Sequence, residues 1–205
     1  MTARATTARG KAARKRSRRS AARRVRRMDH LQTPPGIIDQ ISRFRPIGLD
    51  AFGQAGTPAS SAAATFWTSG AMQRRWDGHG LVFVQPPHSR GWLPAVAPKC
   101  EAEGDEVIAL WPASVEAAWW QDHVIPAASA VCFLRGRVFY MLEGDWVRDK
   151  KGRATPAWFP SALVYYPAST DLAYARRFCE HFRELGTCLR LDGERRARQS
   201  RIPGS

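Results

Sequence analysis

The chain is best interpreted outward from the stretch Leu81-Val82-Phe83-Val84-Gln85-Pro86-Pro87-His88. Four apolar residues suited to a buried strand are followed directly by an amide, two prolines and an imidazole ring. Because proline has no backbone N–H to donate to a neighbouring strand, the strand must end before Pro86. Ligands of open α/β sheets bind beyond the carboxyl ends of the strands. We therefore expect Gln85 and His88 to lie at a ligand site.

Residues 85–88, here called the Pro-Pro corner, carry groups that suit a flat molecule with an amino group. The side-chain amide of Gln85 and the carbonyl of Pro86 can accept hydrogen bonds, and the ring of His88 can stack. An enzyme that methylates the exocyclic amine of an extruded nucleobase needs both features. From these residues alone, a proline-terminated loop whose glutamine is satisfied within the protein is an equally good interpretation.

The Pro-Pro corner also resembles the Asn/Asp-Pro-Pro-Tyr/Phe signature of amino-methyltransferases that use S-adenosylmethionine. Around it, residues 32–166 resemble the phage-type DNA N6-adenine methyltransferase (Dam-like) family in the order and spacing of short pieces. These pieces are Thr33-Pro34-Pro35, Leu49-Asp50-Ala51, Trp76-Asp77-Gly78, Trp92, Leu110-Trp111-Pro112-Ala113, Trp119-Trp120, Phe133-Leu134-Arg135-Gly136-Arg137-Val138-Phe139 and Pro160-Ser161-Ala162-Leu163-Val164. The resemblance implies a compact Rossmann-like methyltransferase sheet and methyl transfer from S-adenosylmethionine to adenine N6 in phage or prophage DNA.

The same resemblance implies roles for two groups of residues. The substrate group consists of Gln85, Pro86, Pro87 and His88, in which Gln85 and the Pro86 carbonyl orient the amine while His88 stacks on the extruded base. The cofactor group consists of Thr33, Pro34, Pro35, Asp50, Ala51, Phe52 and Gly53. Positioning supplies most of the catalysis in such a site, so no strong base is required. Without the resemblance, Asp50 after a strand is more simply a turn former.

Two residues of the Pro-Pro corner depart from the family signature and favour an alternative function. Gln85 stands where the family has Asn or Asp, and the longer side chain moves the amide by about one carbon–carbon bond. His88 stands where the family usually has Tyr, Phe or Trp. The alternative is a nucleic-acid-binding protein that retains the methyltransferase scaffold without turnover. Methylation of RNA or of a protein glutamine is a third interpretation, because both offer a planar amine or amide.

The positive charge of the chain is concentrated at its N-terminus. Of the 32 Lys and Arg residues, twelve lie between Arg4 and Arg27, and no acidic residue precedes Asp29. Residues 1–28 lack an apolar face, so we predict a disordered arm that binds DNA phosphates, with a solvated tail or a transit peptide as alternatives. The residues assigned to DNA are Arg14, Lys15, Arg16, Arg18, Arg19, Arg23 and Arg24 in the arm, with Arg135 and Arg137 at a predicted hairpin tip.

Length and composition predict one domain with two tails. With 205 residues, of which 44% are hydrophobic, the chain can bury one substantial core, which we place at residues 29–190, before a frayed basic tail at 191–205. The four cysteines form no Cys-x-x-Cys pair, so no metal is expected. Without an apolar run of about 18 residues, we expect no membrane partner and an intracellular protein. The resemblance implies that this protein acts on duplex DNA in bacterial or phage-infected host cytoplasm.

Alternating strand and helix patterns predict an α/β sheet that is mostly parallel and has an antiparallel hairpin. Helices are predicted at residues 36–43, 92–103, 114–124 and 171–185. Strands are predicted at residues 47–50, 81–84, 106–111, 130–134 and 138–142, with a last strand at 162–166. We expect residues 130–134 and 138–142 to pair as the hairpin and residues 143–155 to form a loop. Residues 53–80 have weak periodicity, so no element is assigned there.

Overall fold

The computed structural model describes residues 29–89, 91–102, 106–169 and 171–191. The predicted arm, residues 1–28, and residues 192–205 of the predicted tail lie outside this part of the chain. The helical elements are α1 (Pro35–Phe44), α2 (Pro58–Ala62), α3 (Trp92–Ala102), a π-helical turn (Trp120–Val124) and α4 (Leu172–Phe182). The strands are β1 (Ile47–Asp50), β2 (Thr65–Phe66), β3 (Leu81–Val84), β4 (Glu106–Pro112), β5 (Ala130–Leu134), β6 (Met141–Leu142), β7 (Asp145–Trp146), β8 (Ser161–Tyr166) and β9 (Gly186–Arg190).

The described residues contain a seven-stranded sheet in the order β2-β1-β3-β4-β8-β5-β9. Strands β2, β1, β3 and β4 run parallel to one another, which forms one half of the sheet. In the other half, β8 is antiparallel to both β4 and β5, and β9 is antiparallel to β5. The expected α/β class with a large parallel part is therefore confirmed.

Two apolar layers cover the two faces of this sheet. Strand β3 alternates between them, because Val82 and Val84 pack in one layer while Leu81 and Phe83 pack in the other. Helices α1 and α4 contribute Ile38, Ile41, Phe44, Phe178 and Phe182 to the second layer. All seven residues of β4 are buried, as expected for a central strand covered on both faces. In the described part of the chain, none of the helices is both long and apolar enough to cross a membrane.

The predicted hairpin between residues 130–134 and 138–142 is wrong. Strand β5 pairs with β8 and β9 on its two sides, so neither edge is open to the residues that follow it. Strand β6, at the end of the predicted strand 138–142, pairs instead with β7 in a separate two-stranded sheet, and β7 lies inside the predicted loop 143–155. The antiparallel part of the main sheet therefore comes from strands distant in sequence, because pairing is decided by which edges remain open.

The chain continues with a further strand beyond residues 162–166, contrary to the prediction that the last strand lies there. After α4, which is capped by the Asp171 side chain accepting from the Ala173 N–H at 2.8 Å, the chain returns to the sheet as β9. Gly186 begins this strand, and a Cβ atom on it would lie 1.9 Å from the carbonyl oxygen of Phe133. The glycine permits close strand approach. A helix was also predicted at residues 114–124. The structure has a shorter element there, the π-helical turn at Trp120–Val124.

Candidate active site at the carboxyl ends of β1 and β3

The order of strands reverses between β1 and β3. From β1 the chain passes to β2 on one side, then crosses back to β3 on the other side. Asp50 at the end of β1 lies opposite Phe83 in the parallel register, so the residues that follow both strands emerge at the same edge. Such a reversal opens a crevice beyond the carboxyl ends of the strands, which is the ordinary ligand position in open α/β sheets.

A cavity of about 350 Å³ lies at this position. Ala51, Phe52 and Gly53 line it from the end of β1, while Gln85 and Pro87 line it from the end of β3. Its remaining walls come from Asp29, His30, Gln54, Trp92 and residues 67–71 after β2. Small-molecule sites usually measure about 300–1,000 Å³, so the volume suits a cofactor-sized ligand.

The wall of the cavity at β1 is aromatic and closely packed. The Phe52 ring contacts the rings of Trp76 and Trp92, with centroid separations of 6.3 and 5.8 Å. At Gly53 an added Cβ atom would lie 2.7 Å from both the Phe66 Cβ and the Ser60 Oγ. Glycine at this position therefore lets Phe66 of β2 and Ser60 of α2 approach the backbone closely, and Gly53 itself lines the cavity.

Gln85 is held by two hydrogen bonds to the segment before α1. The Thr33 hydroxyl donates to Gln85 Oε1, and Gln85 Nε2 donates to the Leu31 carbonyl at 2.7 Å. A second, smaller cavity of about 20 Å³ is lined by Gln85 together with Thr33 and Asp50. Gln85 thus lines both cavities, and its orientation is set by the N-terminal segment. An amide oxygen accepts two hydrogen bonds, so Oε1 retains one acceptor position beyond Thr33.

Asp50 is a buried carboxyl group beside this pair. Its side chain is 3% exposed, and the Ser60 hydroxyl donates to Oδ2 at 2.8 Å. Burial raises the pKa of Asp50 to about 6, against the opposing effects of the Ser60 hydroxyl and a Phe52 backbone hydrogen bond. The structure therefore brings Asp50, Thr33 and Gln85 to one cavity. It places Ala51, Phe52 and Gly53 at the larger cavity.

His88 lies away from both cavities. Its ring is 9% exposed and packs against Tyr140 and Phe159 at centroid separations of 5.9 and 5.3 Å. Burial lowers the pKa of His88 to about 4, and neither ring nitrogen has a hydrogen-bond partner among the described residues. Stacking of His88 on a base stays a prediction, and it requires the ring to leave this packing.

The prolines of the two predicted groups have different surroundings. Pro87 lines the larger cavity, whereas Pro86 is buried beside it. Pro34 precedes α1 and its carbonyl accepts from the Ile37 N–H at 3.1 Å, while Pro35 is the exposed first residue of that helix. Neither Pro34 nor Pro35 is among the residues that line the two cavities.

Asp29 and Trp67 are among the residues of the larger cavity that sequence reasoning missed. Asp29, the first acidic residue of the chain, accepts from the Ser89 N–H at 2.8 Å and so ties the start of the domain to the Pro-Pro corner. Trp67 follows β2, and the Arg74 guanidinium lies 5.0 Å from its ring centroid. Strand β2 has two residues, too few for a periodic signal. An isolated acid at the end of a basic run was the available signal for Asp29.

The residues assigned to DNA fall partly outside the described chain. Arg14, Lys15, Arg16, Arg18, Arg19, Arg23 and Arg24 lie among residues 1–28, which are not described. Arg135 and Arg137 are exposed after β5, and Arg137 Nη1 donates to the Trp158 carbonyl at 2.7 Å. Among the residues of known position, no group of three or more His, Cys, Asp or Glu side chains is arranged to hold a metal ion.

Comparison with known proteins identifies the family of the chain. The family model described as DNA N-6-adenine-methyltransferase (Dam) matches residues 20–166, well over half of the sequence. No curated protein and no solved structure gave a match. The matched segment runs from before α1 to the end of β8, so it contains every described residue that lines the two cavities. The chain therefore belongs to the DNA N-6-adenine-methyltransferase (Dam) family, as its resemblance to Dam-like enzymes predicted.

Proposed function

We propose that the protein transfers a methyl group from S-adenosylmethionine to adenine N6 in DNA, as a modification enzyme of phage or prophage origin. The observation that carries the proposal is the position of Gln85, which lines both cavities at the strand reversal. Family membership supplies the adenine N6 chemistry. The proposal treats the sheet as a compact Rossmann-like methyltransferase scaffold.

The larger cavity fits the cofactor in size and in the character of its walls. Phe52, Trp67 and Trp92 provide apolar faces for a purine, and the backbone at Gly53 provides polar groups without a side chain. When bound, S-adenosylmethionine supplies an electrophilic methyl group. In this proposal Ala51, Phe52 and Gly53 contact the cofactor directly. Thr33 and Asp50 close the site from the smaller cavity, and Pro34 and Pro35 hold Thr33 at the start of α1.

The Pro-Pro corner would bind the adenine amine. Gln85 Oε1 and the Pro86 carbonyl accept hydrogen bonds from the N6 amino group, which aligns its lone pair for attack on the methyl carbon. Because Thr33 and Leu31 already fix the Gln85 amide, this alignment needs little reorganisation on binding. Stacking of His88 on the extruded base belongs to the same proposal. Pro87 lines the cofactor cavity next to the position proposed for this amine.

Duplex DNA in bacterial or phage-infected host cytoplasm is the substrate that we propose. The arm residues assigned to DNA would neutralise backbone phosphates without reading sequence. Arg135 would contact phosphate from the turn after β5, where it is exposed. Arg137 would do so with the part of its guanidinium that does not bond to the Trp158 carbonyl.

One observation favours the second candidate, a nucleic-acid-binding protein that has kept the scaffold without turnover. The Gln85 amide donates to Leu31 and accepts from Thr33, so the side chain is satisfied without a substrate. In this candidate the role of Gln85 is structural, because its two hydrogen bonds join residues 31–33 to the end of β3. The two candidates therefore differ in whether Gln85 contributes to a chemical step.

Methyl transfer to DNA tests the proposal directly. Purified protein is incubated with unmethylated duplex DNA and S-adenosylmethionine carrying a tritiated methyl group, and the nucleosides are then separated. We expect label in N6-methyladenine, and a loss of kcat/KM on the order of a hundredfold for Gln85→Ala, because small displacements of positioning groups have effects of that size. Gln121→Ala is the matched control, since the Gln121 amide also donates to a backbone carbonyl but is exposed on the π-helical turn.

Two results would contradict this proposal. DNA that is retained by the protein but carries no label, at any cofactor concentration, would support the non-catalytic candidate. Undiminished methyl transfer by Gln85→Ala would show that Gln85 joins elements without assisting the reaction.

A further inference from the structure

Three large aromatic side chains are exposed near the Pro-Pro corner. Phe139 is 44% exposed, Trp146 is 40% exposed and Trp158 is 66% exposed. We call them the aromatic surface. Contact of large apolar rings with water is unfavourable, so a group of exposed rings on one part of a domain indicates a binding surface.

Hydrogen bonds between backbone segments hold the aromatic surface together. The Ala157 N–H donates to the Val138 carbonyl at 2.8 Å, which places Trp158 beside the segment that carries Phe139. The Val147 N–H donates to the Tyr140 carbonyl at 3.0 Å, and Trp146 is paired with Met141, so Trp146 lies beside the end of the same segment. The three rings therefore belong to adjacent backbone segments that are joined by hydrogen bonds.

Two routes connect this framework to the Pro-Pro corner. Gln32 and Met141 exchange backbone hydrogen bonds of 2.8 and 3.0 Å, and Thr33, the next residue, donates to Gln85. The Trp158 ring contacts the Phe159 ring at 5.4 Å, and the Phe159 ring contacts His88 of the Pro-Pro corner at 5.3 Å. The aromatic surface thus borders the site at which the base would be methylated.

The chain around these rings carries excess positive charge. Residues 135–158 contain six Arg and Lys residues against three Asp and Glu residues. Two of the acids are neutralised locally, because Asp145 pairs with Arg148 at 3.1 Å and Asp149 pairs with Arg153 at 2.9 Å. The exposed cations that remain are Arg135, Arg137, Lys150 and Lys151. This combination of flat apolar rings and cations complements a polyanion that has exposed bases.

We propose that the aromatic surface stacks on unpaired bases of the DNA substrate next to the target adenine. The identity of the nucleic acid as DNA rests on the proposed function. Extruding an adenine leaves its neighbours partly unstacked, and aromatic side chains can replace the stacking that these bases lose. A second copy of the chain is a poorer occupant, because it would bring the same excess of positive charge to the interface.

The test compares two DNA duplexes of equal length and charge. One is fully paired, and the other has an abasic site opposite one adenine. Binding to the full-length protein is measured by fluorescence anisotropy at constant salt without cofactor, with neighbouring 2-aminopurine as a second readout. Because the duplexes differ by one base, phosphate contacts cancel in the ratio of their dissociation constants. Trp146→Ala and Trp158→Ala are compared with Leu172→Ala, which removes a side chain that is 56% exposed on α4.

We expect the wild-type protein to prefer the interrupted duplex and to quench 2-aminopurine on binding. Each Trp→Ala change should weaken binding to the interrupted duplex by about 5- to 150-fold, the usual effect of losing one stacked base. The fully paired duplex should be affected less, and Leu172→Ala should leave the ratio unchanged. Trp146→Leu, which keeps apolar area but loses the flat face, should resemble Trp146→Ala.

Three results distinguish failure of this inference from failure of the proposed function. If the ratio of the dissociation constants for the two duplexes is unchanged in both Trp→Ala variants, the proposed role of the aromatic surface is overturned, whatever the methyl-transfer assay shows. If the Trp→Ala variants lose the preference for the interrupted duplex while the wild-type protein transfers no methyl group, the role of the aromatic surface is supported and the enzymatic proposal is contradicted. A wild-type dimer that Trp146→Ala converts to monomer in sedimentation would assign the surface to a second copy and overturn its assignment to DNA.

Discussion

At the scale of single residues, Gln85 and His88 show how one short motif meets two different environments. The Gln85 amide is exposed to two cavities and is oriented by hydrogen bonds to residues 31 and 33. Three positions later, His88 is enclosed by Tyr140 and Phe159, and burial lowers its pKa to about 4. The pKa of this ring in the unfolded chain is about 6.5. Between about pH 4 and about pH 6.5, the ring is therefore protonated in the unfolded chain and neutral in the native protein.

This difference predicts a pH-dependent gain in stability for His88→Phe. Wild-type stability should fall as pH decreases from about 6.5 towards 4, and the loss from this group should reach about 2 kcal/mol at pH 5. Phenylalanine has no group to protonate and removes two buried nitrogens that lack partners among the described residues. Urea unfolding of both proteins at pH 8 and pH 5 measures the effect.

The variant should also retain methyl transfer, because a flat ring remains at position 88. The expected result is a larger difference in unfolding free energy between His88→Phe and wild type at pH 5 than at pH 8. Equal differences at the two pH values would contradict the buried, neutral state of His88.

At the scale of elements, the site depends on the close approach of β1 to the segment before β3. A Cβ atom at Gly48, inside β1, would lie 1.7 Å from the carbonyl oxygen of His79. Glycine inside a strand commonly permits such a backbone contact. The contact sets the position of β1 against the start of β3, and hence the distance between the two strand ends that form the cavities.

Alanine at two glycines tests this packing. Gly48→Ala must displace backbone, so we expect a loss in free energy of unfolding of about 1–3 kcal/mol or more. Gly36→Ala is the matched control, because Gly36 lies in α1 with no atom within 4 Å of the added Cβ. That change should stabilise the protein by about 0.5–1 kcal/mol. Chemical denaturation measures both, and a neutral Gly48→Ala would show that β1 can shift without cost.

At the scale of the whole molecule, charge and chemistry lie in separate parts of the chain. Twelve cationic residues precede residue 29, whereas the remaining 20 Lys and Arg residues are nearly balanced by 18 Asp and Glu residues. The candidate active site is assembled from the ends of β1, β2 and β3 and from residues 29–33. General affinity for DNA and methyl transfer should therefore be separable by substitution.

The salt dependence of DNA binding tests this separation. Seven arm residues are changed together to glutamine, namely Arg14, Lys15, Arg16, Arg18, Arg19, Arg23 and Arg24. The slope of log K against log salt between 50 and 200 mM should become shallower by about 0.9 for each phosphate that the arm no longer neutralises. Turnover at saturating DNA should stay unchanged, and Arg176→Gln on α4 serves as the control. An unchanged slope would exclude the arm as the phosphate-binding element.

The local sequence pattern was sufficient to predict the helices and strands whose apolar residues recur at a regular spacing. The strands Ile47–Asp50, Leu81–Val84 and Ala130–Leu134 occur where apolar runs predicted them. Helix α4 follows the three- and four-residue spacing that places Phe178 and Phe182 in the core. The end of β3 at two prolines was also predictable, because a residue without an N–H cannot continue a ladder. With the family resemblance, these local signals located the candidate site.

Only the tertiary structure decided which partners these elements have. Strand β9 alternates weakly because it lies at an edge, and its place beside β5 excluded the predicted hairpin. The burial of His88 depends on Tyr140 and Phe159, and the orientation of Gln85 depends on residues 31 and 33, all more than 50 positions away along the chain. The sequence by itself determined where elements begin, end and present apolar faces, since these follow from neighbouring residues. Strand pairing, burial and side-chain orientation required the folded chain, because they depend on contacts that no local pattern contains.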